Sequence, residues 1–207
     1  MFSHTGLLHR VLFPSVIWKM TSTGVFLTFD DGPHPEATPA VLDVLRRNSV
    51  HATFFITGTA VKKNPELVLQ IAAEGHSLGI HGYQHKRSSA VSKRITEHEI
   101  VQTEKEIRDA GAQPCLLFRP PFGFFTWNTI AAANSLHYKL VMWTTLTGDF
   151  RPNWPDDKVV KTALQSLSGG AVLVFHDNEL TKSRIKFVLQ STIVAVRELG
   201  YSFEKMS

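Results

Sequence analysis

Residues 171–175 read Ala-Val-Leu-Val-Phe and carry no polar side chain. A strand with no polar face has to be covered on both sides, which is the condition of a parallel sheet flanked by helices. The rest of the chain keeps to that plan. Strand-like runs at 24–29, 52–56, 76–80, 115–118, 139–143 and 201–206 alternate with helix-like stretches. Thr38 as N-cap with Pro39 in the first helical position predicts a helix with Val41, Leu42 and Leu45 on one face. Asn64-Pro65-Glu66 opens a second helix that stops at Gly75, and 92–110 forms a third that stops at Gly111. Further helices are expected around 128–134, after Asp156 as N-cap, and over 183–199.

About seven strands alternating with helices predict an α/β architecture with a parallel sheet. An open sheet and a closed barrel share this periodicity. The position of the polar residues favours a barrel. Asp30 and Asp31 follow the first strand, His81 and His85 the third, Arg119 the fourth, Asp149 the fifth and His176 the sixth. A site gathered from the ends of several strands belongs to a β/α barrel, whereas an open sheet collects its site at one crevice.

Composition narrows the function classes. The chain has 207 residues, 43% apolar and 19% charged, enough for one domain with a core and unlike a disordered or fibrous chain. The single cysteine, Cys115, excludes an intramolecular disulfide framework and a Cys-rich zinc module. A net charge of +4 from scattered basic residues gives no reason to expect a nucleic-acid partner. No transmembrane segment is expected: the apolar stretch at 11–18 is short and contains Pro14. His4, His9 and Arg10 resemble the charged start of a signal peptide, but no small-x-small cleavage site follows. Residues 1–23 are therefore expected to pack on a single domain spanning 24–207, as a monomer, with the compartment left open.

Five clusters carry chemistry. In Thr28-Phe29-Asp30-Asp31-Gly32-Pro33, two adjacent carboxylates repel unless a cation neutralises one, leaving the other as a base; Asp-Gly-Pro is also ordinary turn vocabulary. His81 and His85 stand at i, i+4, a spacing usable for metal ligation, although ten histidines make some such pair expected by chance. Two imidazoles and a carboxylate would leave open positions on a metal, as catalytic metal sites do. Arg119-Pro120-Pro121-Phe122-Gly123 is a stiff loop that could hold Arg119 against a carboxylate. Asp149-Phe150 and His176-Asp177 are the remaining two; taken alone, Asp149 reads as a solvated acid and His176 as either a core histidine or a general acid–base.

Taken in order, TFDDGP, H-x-x-x-H, RPPFG, the Asp-Phe loop and a strand ending in His resemble the polysaccharide deacetylase family, the carbohydrate esterases with a NodB-like domain. The match runs from Gly24 to Met206. The resemblance implies a single NodB-like domain, a distorted (β/α)7 barrel, and a metal-dependent hydrolase removing N- or O-acetyl groups from sugars. It implies Asp31, His81 and His85 as metal ligands, for Zn2+ foremost, with Co2+, Ni2+ or Mn2+ as alternatives. It implies Asp30 as base, Arg119 as its partner, the Phe122 N–H as an oxyanion donor, His176 as acid and Asp149 as the carboxylate that tunes it. Val174, with Leu173 beside it, stands where the family has a Leu lining the acetyl pocket, and Phe150 where Trp is usual. Gly82 replaces a Ser or Thr, so a loop-stabilising hydrogen bond is expected to be missing, and Thr144 replaces a frequent acid.

An acetylated carbohydrate, N-acetylglucosamine in a peptidoglycan or chitin-like chain, is the expected substrate. An amidohydrolase of a small non-sugar amide and a non-catalytic carbohydrate-binding protein are the competing readings. Phe124, Phe125, Trp127, Phe150 and Trp154 all follow the fourth and fifth strands and are expected to wall an open groove for neighbouring sugars.

Overall fold

A computed structural model describes residues 11–207. The ten residues before them, which include the charged start read at His4, His9 and Arg10, lie outside the described residues. Strands β1 (Val25–Asp30), β2 (Thr53–Ile56), β3 (Ser77–Ile80), β4 (Leu117–Phe118), β5 (Lys139–Leu140), β6 (Thr145–Leu146) and β7 (Val172–His176) form a ladder in the order β5-β4-β3-β2-β1-β7-β6. A short β8 (Phe203–Glu204) pairs with the start of β1. Every pairing is parallel. The sheet curls into the distorted (β/α)7 barrel, with helices α1 (Ala37–Arg47), α2 (Gly58–Lys63), α3 (Pro65–Ala73), α4 (Lys93–Asp109), α5 (Trp127–Ser135), α6 (Asp156–Leu164) and α7 (Ile185–Glu198) outside it.

The expected strand at 139–143 is cut short: only Lys139–Leu140 pairs with β4, as β5; the chain then crosses through residues 141–144 and pairs with β7 as β6, at the other end of the ladder. One strand-like stretch thus changes partners and closes the barrel covalently, where no ladder joins β5 to β6. The crossing frees carbonyls that a regular strand would have paired. Buried Arg119 takes two of them, Met142 O at 3.0 Å and Val141 O at 3.4 Å. On the same side, Ile17 bridges to Val141 and Met20 N donates to Gly170 O at 2.9 Å.

Alternation divides each strand between two cores. Val25, Leu27 and Phe29 of β1 and Leu173 and Phe175 of β7 face the helices. Phe26 of β1, Phe55 of β2 and Val172 and Val174 of β7 fill the barrel, with Val16, Trp18 and Met206. Phe26, Thr28 and Asp30 share a face by the same period, so a purely apolar interior gives way to a polar layer at the strand ends. Two helix starts differ from expectation. Helix α1 begins at Ala37 with no side-chain cap, because Thr38 is used elsewhere: its Oγ1 accepts from His34 N at 2.8 Å and donates to Asp177. Helix α6 begins at Asp156 behind Pro155, and the Asp156 carboxylate instead accepts from Arg184 Nε at 2.8 Å.

Candidate active site

Asp30 and His176 end neighbouring strands and are direct register partners in the ladder. The loops after β1 and β3 bring in Asp31, His81 and His85 beside them. These border a pocket of about 350 Å³ together with Phe122, Trp143, Leu146, Phe150, Asn178 and Leu180.

Asp31 Oδ1 lies 2.9 Å from His85 Nε2 and 3.4 Å from His81 Nε2. The oxygen is buried yet makes no hydrogen bond. The three donor atoms lie within 4.8 Å of one another. Second contacts fix how each donor is presented. His81 Nδ1–H donates to Arg119 O at 2.8 Å, which sets the tautomer and leaves the Nε2 lone pair free. Asn178 Nδ2 donates to Asp31 Oδ2 at 2.7 Å, which turns Oδ1 toward the histidines. Burial alone would raise the Asp31 carboxyl, but the imidazoles of His81 and His85 outweigh it and hold the group well below the ordinary carboxylate range. A buried carboxylate oxygen without a hydrogen bond, facing two imidazole nitrogens, fits a divalent cation.

Asp30 is held from the other side. Arg119, fully buried, donates from Nη1 to Asp30 Oδ1 and to Thr28 Oγ1, both at 2.7 Å, and lies 4.0 Å over the Phe55 ring. Asp30 Oδ2 is 3.9 Å from His81 Nε2, so one carboxylate oxygen is tied to the guanidinium and the other faces the cluster. At His176, Nδ1–H donates to Asp149 Oδ1 at 2.8 Å and the backbone N donates to Asp149 Oδ2 at 2.7 Å. Burial alone would lower the His176 pKa. Asp149, by charge and hydrogen bond, outweighs that with help from Asp31 and Asp30, and the imidazole is pushed up to about 9. Phe150 meets the ring edge-on at 5.0 Å, so the aromatic contact survives where Trp is usual.

Among the described residues, five non-glycine residues have positive φ, and three of them are Asp31 (81°), His85 (52°) and Phe122 (59°). Such conformations cost about 1–3 kcal/mol each and persist where the surroundings impose them, often at working sites. In the RPPFG turn, Gly123 N bonds to Pro120 O and Phe124 N to Pro121 O, which leaves the Phe122 N–H uncommitted by that turn.

Two expected pocket residues are elsewhere. Leu173 faces the helices, one residue out of phase with the barrel interior. Val174 faces inward but does not border the pocket; its ladder partner Leu146 does. The aromatic groove also resolves differently. Phe125 packs edge-on against Phe13 at 5.1 Å, Trp127 against the same ring at 5.1 Å, Phe124 lies under Arg87, and Trp154 under Arg151 and Lys158. Of that set only Phe150 reaches the pocket. Thr144 joins the crossing segment to β7 through Val172 N and O, both at 3.0 Å, a structural use.

The sequence names Asp177 beside His176 without giving it a role, and Asn178, the next residue, was missed. Asp177 accepts Gly32 N at 3.2 Å and the Thr38 hydroxyl, and a Cβ at Gly32 would overlap its carboxylate. Burial pushes the Asp177 carboxyl up to about 8. The His-Asp-Asn turn thereby clamps the Asp-Asp-Gly turn. Arg184, also missed, secures the loop carrying Asp149 by donating to Asp149 O at 3.3 Å, Arg151 O at 2.9 Å and Trp154 O at 2.6 Å.

Together, fold and site define a β/α-barrel hydrolase. Known proteins place it more closely. The family model for polysaccharide deacetylases matches residues 19–141. A peptidoglycan-N-acetylglucosamine deacetylase of Bacillus cereus is 32% identical over 208 residues, covering 97% of this chain and 96% of that protein. A chitooligosaccharide deacetylase of Bradyrhizobium is 36% identical over 155 residues, 74% of this chain and 70% of that one. The solved Bc1960 peptidoglycan N-acetylglucosamine deacetylase superposes with a TM-score of 0.85 at 28% identity, covering 98% of this chain and 95% of that one. The chain belongs to the polysaccharide deacetylase family and has that family's class of activity. Among the described residues, no helix is long and apolar enough to cross a membrane.

Proposed function

We propose that this chain removes N-acetyl groups from N-acetylglucosamine units of a glycan, peptidoglycan or a chitin-like chain, with a divalent cation held by Asp31, His81 and His85. The observation that carries the reading is the register pairing of Asp30 with His176, which sets a carboxylate and an imidazolium side by side at the pocket that the three-donor cluster also lines. When bound, the cation supplies Lewis acidity toward water and the acetyl carbonyl, and two imidazoles with one carboxylate suit zinc first. Asp30 Oδ2 takes the proton from the attacking water, while Arg119 holds the carboxylate in place. The Phe122 N–H meets the carbonyl oxygen as it becomes negative. His176 hands its Nε2 proton to the leaving nitrogen, since an amine leaves poorly unprotonated. Trp143, Leu146, Phe150 and Leu180 give the acetyl methyl an apolar wall. The relatives' names, a peptidoglycan-N-acetylglucosamine deacetylase and a chitooligosaccharide deacetylase, support an N-acetylglucosamine glycan as the target.

A second hollow, of about 390 Å³, adjoins the pocket across Asp31 and Asn178 and is lined by Pro33, His34, Thr57, Thr59, Lys63 and Asn64. It gives a neighbouring sugar polar partners where the aromatic groove does not. The test is acetate release, with and without added metal, from an N-acetylglucosamine series of one to six sugars, peptidoglycan and small amides. We expect kcat/KM to rise with length over the first few sugars. A flat profile, or best activity on a small non-sugar amide, overturns the polymer reading.

The role of His176 has its own checks. His176→Ala is expected to slow hydrolysis of an N-acetyl sugar by about 10²- to 10⁴-fold, the range of general acid–base catalysis, and that of an activated acetate ester much less. The acid must be protonated, so activity falls as pH rises through the His176 pKa. Asp149→Asn removes the main upward pull on that pKa and should move the alkaline limb of the pH–rate profile to lower pH. Equal slowing on amide and ester, or an unmoved alkaline limb, counts against the assignment.

A further inference from the structure

The loop between the two histidines lacks a hydroxyl at Gly82, whose φ of 77° would strain any side chain and whose Cβ would sit 3.1 Å from Pro121. The loop is held from outside. Glu99 of α4, only 8% exposed, reaches it, and its Oε2 accepts both Tyr83 N at 2.5 Å and Gln84 N at 2.9 Å. The N-terminal end of α2 adds Gly58 N to Gly82 O at 3.1 Å and Thr59 N to Tyr83 O at 3.0 Å. Among the described residues, no Lys, Arg or His forms an ion pair with Glu99. Burying a carboxylate without a cation is costly, and here its compensation is these two backbone donors. What the carboxylate secures is the stretch of chain immediately before His85, which must keep φ at 52° to bring Nε2 within 2.9 Å of Asp31.

We propose that Glu99 is a positioning residue for the metal centre: it presets the Gly82–His85 loop so that His85 is aimed at the cation before the cation arrives. The inference rests on the proposed metal site. Glu99 touches neither the pocket nor the donors, so its effect has to pass through His85. Preorganisation of this kind shows first in metal affinity, because a loop that must be ordered on binding loses that much from the binding free energy.

The experiment is zinc affinity by competition with a chromogenic chelator, on the full chain, for wild type, Glu99→Ala, Glu99→Gln, Glu99→Asp, His85→Ala and the Glu99→Ala/His85→Ala pair. Thermal unfolding of each variant is followed alongside. We expect Glu99→Ala to weaken zinc binding about 10- to 100-fold, the scale for loss of a ligand-orienting residue. Glu99→Gln should recover most of it, since the amide oxygen still accepts from both N–H groups, whereas the shorter Glu99→Asp should not. His85→Ala should cost far less in the Glu99→Ala background than in wild type, as coupled residues do. Wild-type affinity in Glu99→Ala, or an undiminished His85→Ala cost in that background, overturns the proposal. Should Glu99→Ala fail to fold, equal affinities for Glu99→Gln and Glu99→Asp overturn it. A wild-type chain that takes no zinc fails the proposed function instead, which keeps the two failures distinct.

Discussion

His81→Ala and His85→Ala are expected to lose the bound divalent cation, and hydrolysis with it. Each replaces one of three donors that converge within 4.8 Å, which leaves two of the three in place. The loss in affinity should exceed the roughly 10- to 100-fold that removal of a mere supporting residue costs. The two variants should not behave alike beyond that. His81 is 2% exposed and its Nδ1–H satisfies Arg119 O, so its removal leaves a buried carbonyl unpaired and should lower Tm as well. His85 is half-buried and packs its ring 4.4 Å from Phe122 at the pocket edge, so its removal should spare Tm. Elemental analysis after purification, zinc titration and a thermal melt check all three points. Undiminished metal content in both variants would sink the assignment of the donors.

The residues proposed as metal donors and acid–base pair could be singled out because they sit at or soon after strand ends, and strand ends can be read from periodicity. What lay beyond the sequence was set by partners far along the chain. Residues 139–143 read as one strand, and nothing local says that pairing with β4 stops at Leu140 and that the chain pairs with β7 from Thr145 on. The swap explains Arg119 better than the motif does: the same guanidinium that ties down Asp30 also satisfies the carbonyls that the crossing exposes. Leu173 shows how little error a register tolerates, since a slip of one residue moves a side chain from the pocket side to the helix side. The aromatics after β4 looked like a sugar platform by composition. Phe13 and Trp18, more than a hundred positions earlier, claim Phe125, and Phe13 also claims Trp127. Glu99 gave no signal at all among the polar residues of its helix; only the fold shows it turned inward.

Asp30→Asn separates the two adjacent aspartates, which spacing alone, without the family resemblance, leaves interchangeable. The substitution is nearly isosteric. An amide oxygen can still accept the Arg119 Nη1 bond that Asp30 Oδ1 now accepts at 2.7 Å, so the side chain should keep its place. The cation should stay, because Asp31 Oδ1, not Asp30, is the oxygen closest to both histidines, at 2.9 and 3.4 Å against 3.9 Å from Asp30 to His81. Hydrolysis should nevertheless fall about 10²- to 10⁴-fold, because an amide cannot take the proton of the attacking water. The variant also leaves a fully buried guanidinium without its counter-charge. Breaking a buried ion pair costs about 3–5 kcal/mol when one partner is removed outright; with the hydrogen bond retained, the loss should fall below that range and appear as a lowered Tm in a chain that still folds. Zinc content, kcat/KM on an N-acetylglucosamine oligomer and a melt therefore read three separate consequences of one atom change. Loss of the metal with Asp30→Asn would mean that the two aspartates have exchanged roles, and near wild-type hydrolysis with metal retained would remove Asp30 as the base.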